Sequence, residues 1–219
     1  MSYFDILKEE FSQHDLINSG RGGDTITSLY RRIRKMNISE TYDIAFLWIG
    51  VNDILVHVSW KFPIVKLLFN QRWTKNIDDF INCYKRLLET TLCNAKKTFV
   101  VSPSIIGENI HNKWNKKLGQ LSMKIVSLAL KYVNVEYIDI HKDFISTLSS
   151  KKSSQFIPYR VIVDIVIAYL LNDPERVEKK SKNRELYLTL DGVHLNNMGA
   201  QMVAEIFSHY INKCERNKL

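Results

Sequence analysis

Apolar residues in this chain fall into two alternating patterns. Short unbroken runs at Asp15–Asn18, Ile44–Gly50, Thr98–Ser104 and Val135–Ile140 are rich in Val, Ile or Phe and close on polar or Gly positions. Such runs predict strands of a parallel sheet, which carry no polar alternation because both faces are covered. Longer stretches between them repeat apolar residues at helical spacing: Ile26–Met36 behind an Asp24-Thr25 cap, Ile77–Leu92, Leu118–Tyr132 and the closing Asn196–Tyr210. Strand–helix alternation of this kind implies an α/β fold with right-handed crossovers. Its chemistry belongs where loops leave the carboxyl ends of the strands.

Two stretches break the alternation. Leu55–Thr74, with Trp60, Phe62, Pro63 and Trp73, reads as irregular. His141–Leu190 reads as an insertion: a Ser/Lys cluster, then the apolar Phe156–Leu171, then a charged segment. Phe156–Leu171 is too short and too charged, with Arg160 and Asp164, to span a bilayer, so a packed helix, a lid or an oligomer contact is expected there.

At 219 residues and 45% hydrophobic, the chain can bury one core, and a single domain over 1–219 is the expectation. The net charge of +8 favours anionic surfaces in general. Its lysines and arginines, however, are spread over polar helix faces without an aromatic-interleaved motif, so no nucleic-acid partner is expected. Cys83, Cys93 and Cys214 have neither CxxC spacing nor neighbouring His ligands, which argues against a zinc site or a disulfide framework. They read as thiols of a reducing compartment. With no basic-then-apolar pattern in Met1–Asp5 and no transmembrane segment, a cytoplasmic protein is expected. No cofactor or metal motif is visible, and the oligomeric state is open.

Three motifs carry candidate chemistry. In Asp191-Gly192-Val193-His194-Leu195-Asn196, a carboxylate three residues before a histidine can accept the imidazole Nδ1–H and leave Nε2 as a general base, although helix capping also produces this pattern. In Ile49-Gly50-Val51-Asn52-Asp53, an asparagine amide at a strand end can donate to a developing oxyanion, but the same residues make ordinary turns. The glycine-rich Asn18–Thr25 turn leaves backbone N–H groups at a helix start, suited to an anion, and equally serves as a capped connection.

Their order narrows the alternatives. An NxGxxGDT turn, then GxND, then SPxxxGE (Ser102–Glu108), then DGxHLNxxG before the last helix resembles the SGNH hydrolase superfamily of GDSL-type lipases and esterases. The resemblance implies a flavodoxin-like three-layer α/β/α sandwich and hydrolysis of an acyl or acetyl ester through a Ser-His-Asp triad, with a small-molecule or glycan ester as substrate. Mapped by motif, Asp191 matches the triad acid, His194 the base, and Gly23 and Asn52 the oxyanion donors; Gly50, Gly192 and Gly199 match structural glycines.

One family motif has no counterpart. The Gly-Asp-Ser block should precede the NxGxxGDT turn, yet Met1–Ile17 holds only Ser2 and Ser12, neither behind a Gly-Asp pair. Tyr3–Phe11 resembles the helix that follows the family's first strand, so the sheet is expected to lack that strand, which belongs between Asp15–Asn18 and Ile44–Gly50. The rival readings are a non-catalytic relative that binds a ligand or partner, and a basic surface-binding protein.

Overall fold

The computed structural model describes residues 1–36, 38, 40–59, 61–68, 70–151 and 185–216. The expected Phe156–Leu171 helix and most of the 141–190 insertion lie outside these residues. The chain divides into two compact units, one of residues 21–106 and 110–147, the other of 1–20, 107–109 and 148–219.

The first unit is built on three parallel strands in the order β1 (Tyr42–Trp48), β2 (Ala95–Val101), β3 (Val135–Ile138). Phe46 stands opposite Phe99 and Val101 opposite Ile138, so the apolar runs align side by side. Phe99, Val100 and Val101 are wholly buried, each side chain contributing roughly 1.5–3 kcal/mol. β1 differs: of its seven residues only Leu47 is buried, and among the described residues β1 pairs with β2 alone.

Helix α5 (Ile77–Leu92) starts where Asn76 Oδ1 accepts from Asp79 N at 2.8 Å, with Asp78 and Asp79 favourably placed in its first turn. It buries Phe80, Tyr84, Leu87 and Leu88, the face its periodicity predicts. Helix α6 (Lys113–Ala129) begins five residues earlier than its apolar pattern, because Asn112 caps Trp114 N and Asn115 N at 2.8 and 2.9 Å and the polar first turn hides the start. The segment expected to be irregular contains a helix, α4 (Lys61–Leu68), and α3 (Val51–Leu55) ends at its first residue. Helix α2 (Ile26–Ile33) is capped by Thr25, whose hydroxyl accepts from Ser28 N.

In the second unit, α1 (Tyr3–Glu10) opens with a capping box between Ser2 and Asp5. It packs on the last helix, α8 (Asn197–Arg216): the Tyr3 and Phe207 rings meet edge to face at 5.7 Å, and Ser208 donates to Glu10 at 2.6 Å. Residues 15–18 are not a strand, which corrects the expectation for that run. Four residues with one interior Leu-Ile pair carry little β preference without a neighbouring strand to supply ladder hydrogen bonds, and none of the described strands pairs with them. Helix α7 (Ile140–Ser149) follows β3 directly.

Candidate active site

The DGVHLN motif folds into a small antiparallel turn in the second unit. Thr189 bridges Leu195, Leu190 N donates to His194 O at 2.7 Å, and Asn196 N donates to Leu188 O at 3.1 Å. Gly192 takes φ +92°, a conformation L side chains rarely adopt. At Gly199, in the first turn of α8, an added Cβ would lie 2.1 Å from Leu188 O, so only glycine lets the helix start against the turn.

This turn sets the acid against the base. Asp191 Oδ1 accepts from Val193 N at 3.0 Å and His194 N at 2.9 Å, which leaves Oδ2 for His194 Nδ1 at 2.8 Å. Asp191 is buried, and burial alone would raise its pKa; the hydrogen bonds and charge of His194, with the two backbone donors, outweigh it and hold the carboxyl below its ordinary value. Burial pulls His194 the other way, yet Asp191 dominates and raises the imidazole. With Nδ1 committed, Nε2 is the remaining nitrogen of a side chain that is half exposed. The pair has the geometry of an oriented general base.

The other two predicted residues are in the first unit. Asn52 lies just past the end of β1, at the start of α3, behind Gly50 at φ +126°; a Cβ on Gly50 would come within 2.8 Å of Pro103 Cγ. Gly23, at φ +80°, lies in the turn before α2. Asp53 ties the two motifs together, because both its carboxylate oxygens accept from Ile26 N, at 3.2 and 3.0 Å. Its carboxyl is fully buried, and burial pushes its pKa up to about 7 against the opposing Ile26 bond and Lys66 charge.

Lys66 was not legible as a site residue. Its ammonium donates to Gly23 O and to Asn52 Oδ1, the latter at 3.4 Å. Burial lowers its pKa, partly offset by Asp53 and Asp24. A lysine has only donors to offer, so the Asn52 oxygen faces it and the Asn52 N–H₂ points away from the ammonium. Nothing in the apolar pattern around Lys66 announces this contact, which joins α4 to the Gly23 turn and to the start of α3.

The structure thus brings Asp191 to His194 in one unit, and Asn52 with Gly23 to Lys66 in the other. Among the described residues no group of His, Cys, Asp and Glu could hold a metal, and no helix is long and apolar enough to cross a membrane.

Comparison with known proteins agrees with the motif order. The family model described as GDSL-like lipase/acylhydrolase matches residues 3–207. No curated protein matches the chain. Among solved structures, the acetyl xylan esterase AlAXEase is similar with 25% identity and a TM-score of 0.67 over 96% of this chain and 90% of that one. An acetylxylan esterase from Geobacillus stearothermophilus is similar with 17% identity and a TM-score of 0.65, covering 94% of this chain and 79% of that one. An α/β hydrolase from the metagenome of Lake Arreo, Spain, has 17% identity, a TM-score of 0.66 and the same coverage. Catalytic mutants of the Geobacillus enzyme, with a serine, an aspartate or a histidine replaced by alanine, also match. A mixed α/β chain with a parallel sheet, matched by this model along nearly its whole length, belongs to the GDSL-like lipase/acylhydrolase family and shares its SGNH fold.

Proposed function

We propose that Asp191 and His194 are the acid and base of an ester-hydrolase site, and that Gly23 N–H and Asn52 N–H₂ are its oxyanion donors. The observation that carries this reading is the 2.8 Å contact between the buried Asp191 carboxylate and His194 Nδ1. In the reaction, a serine hydroxyl attacks the ester carbonyl while His194 Nε2 takes its proton. The tetrahedral oxyanion forms against the Gly23 and Asn52 donors, and His194 returns the proton to the leaving alcohol. Water then repeats the sequence on the acyl-enzyme. Resemblance to acetyl xylan esterases supports an acetyl group on a small molecule or glycan as the acyl substrate. The three cysteine thiols support action in a reducing compartment.

Met1–Ile17 holds no Gly-Asp-Ser, so in this reading the attacking serine comes from a Gly-Asp-Ser strand outside these 219 residues. The state of β1 supports that: an apolar strand, paired on one side among the described residues, with six of its seven residues short of full burial. A strand added at that edge would extend the sheet beside the half-buried Ile44 and Ala45. The missing motif equally motivates a second reading, a non-catalytic relative that binds a ligand or a partner with the same groups.

Hydrolysis of p-nitrophenyl acetate separates the two. Met1–Leu219 should be inactive alone and gain His194-dependent turnover when a Gly-Asp-Ser strand segment is fused ahead of Met1. A fused protein that folds but stays inactive would favour the binding reading. His194-dependent turnover by Met1–Leu219 alone would place the nucleophile elsewhere.

A further inference from the structure

Glu108 is a buried carboxylate, 3% exposed, with no part in the reaction described above. It is not left as an isolated charge. Oε2 accepts from Tyr187 N at 2.6 Å, and Oε1 accepts from Leu188 N, Thr189 N and the Thr189 hydroxyl, each at 2.8 Å. All these donors belong to the strand-like segment that leads into Asp191.

The Thr189 hydroxyl has one hydrogen and gives it to Glu108, so toward its other neighbour it can only accept. That neighbour is Gly192 N, which donates to it at 3.1 Å. The residue before Glu108 completes the grip, because Gly107 N donates to Gly192 O at 2.6 Å. Both peptide groups flanking Gly192 are therefore held, one through Thr189 and one directly. The first of them is the Asp191–Gly192 peptide, whose orientation sets where the Asp191 side chain leaves the chain.

We propose that Glu108 is a positioning residue for the acid–base pair: by forcing the Thr189 hydroxyl to accept from Gly192 N–H, it fixes the peptide plane from which Asp191 reaches His194 Nδ1. The proposal rests on Asp191 and His194 being such a pair. Glu108 touches no reacting atom in this account. A carboxylate suits the task better than an amide, since each of its oxygens accepts and neither donates, whereas a glutamine would turn an N–H₂ against Tyr187 N or the Thr189 donors.

The test is an NMR titration of the His194 ring in Met1–Leu219, which needs neither substrate nor nucleophile. Thr189→Val keeps the side-chain shape and removes the relay, Thr189→Ser restores it, and Glu108→Gln removes the charge. The His194 midpoint should fall by about 0.5 pH unit or more in Thr189→Val and Glu108→Gln, and recover in Thr189→Ser, as expected when a histidine loses part of its bond to a carboxylate. Thr189→Val guards against a Glu108→Gln protein that fails to fold. A folded Thr189→Val protein with an unmoved midpoint would overturn the relay and leave Glu108 a purely structural residue. A wild-type midpoint at or below the ordinary histidine value would instead overturn the Asp191–His194 pair on which the relay depends.

Discussion

Asp53 and Asp191 lie at nearly the same depth, 3% and 6% exposed, one in each unit, and are driven to opposite charge preferences. Asp191 is met by two backbone N–H groups and an imidazole, and its carboxyl stays below the ordinary value. Both Asp53 oxygens accept from Ile26 N, but burial outweighs that bond and the Lys66 charge and carries the carboxyl up to about 7. Depth alone therefore does not set the charge of a buried carboxylate; the donors and charges that meet it decide the direction. The difference suits two tasks. In the proposed site Asp191 has to be an anion to orient and support a histidine base, whereas Asp53 only has to join the start of α2 to the end of β1.

The sharpest way to break this contrast is to remove the anion. In the protein carrying a Gly-Asp-Ser segment, Asp191→Asn should lower kcat by about 10³–10⁴, as an asparagine there holds the imidazole in the wrong tautomer. Steady-state kinetics on p-nitrophenyl acetate would check it, and a loss under tenfold would remove Asp191 from the role. Asn52→Ala in the same background should cost about 10²–10³ in kcat with little change in KM, the pattern of a donor that acts in the transition state. Lys66→Met should cost less, about tenfold, by freeing the Asn52 amide to flip; this corresponds to ~1.4 kcal/mol, the scale of one hydrogen bond to a charged group.

A separate effect is on stability rather than turnover. Because the folded-state carboxyl of Asp53 is raised, the folded protein holds that proton more tightly than the unfolded chain, and stability falls as pH rises from about 4 toward 7. His194, also raised, adds stability that is fully present below its ordinary value near 6.5 and fades as pH climbs through its folded value. Asp191 works in the opposite direction, contributing above the ordinary carboxylate range and losing its contribution as pH falls through its lowered value. Asp53→Asn should therefore flatten the decline between pH 4 and 7 in urea midpoints, a change on the order of a few kcal/mol or less. An unchanged slope would show that Asp53 is ionised in the folded protein across this range.

The sequence reveals what is local. β1, β3 and α5 follow from apolar runs and helical spacing, and the Asp191–His194 contact follows from a three-residue separation. Contacts between distant segments leave no periodic trace. Lys66 reaches Gly23 and Asn52 from a stretch read as irregular, and Glu108 binds residues about eighty positions later. The motif holding Glu108 stands out in the sequence, but the donors that give it a purpose are scattered backbone groups with no side-chain signature. The run at 15–18 fails for the converse reason: a strand is defined by its neighbours, and a short apolar run says nothing of whether one is there.

The state of the His194 ring, which ¹⁵N NMR across pH reads without any assay, tests the acid–base pair most directly. The expected result is a neutral form with the proton on Nδ1 and none on Nε2, and a midpoint above the ordinary histidine value because Asp191 supports the cation. A neutral form protonated on Nε2, or a midpoint that Asp191→Asn leaves where it was, would contradict the claim that this pair is the acid and base of an ester hydrolase.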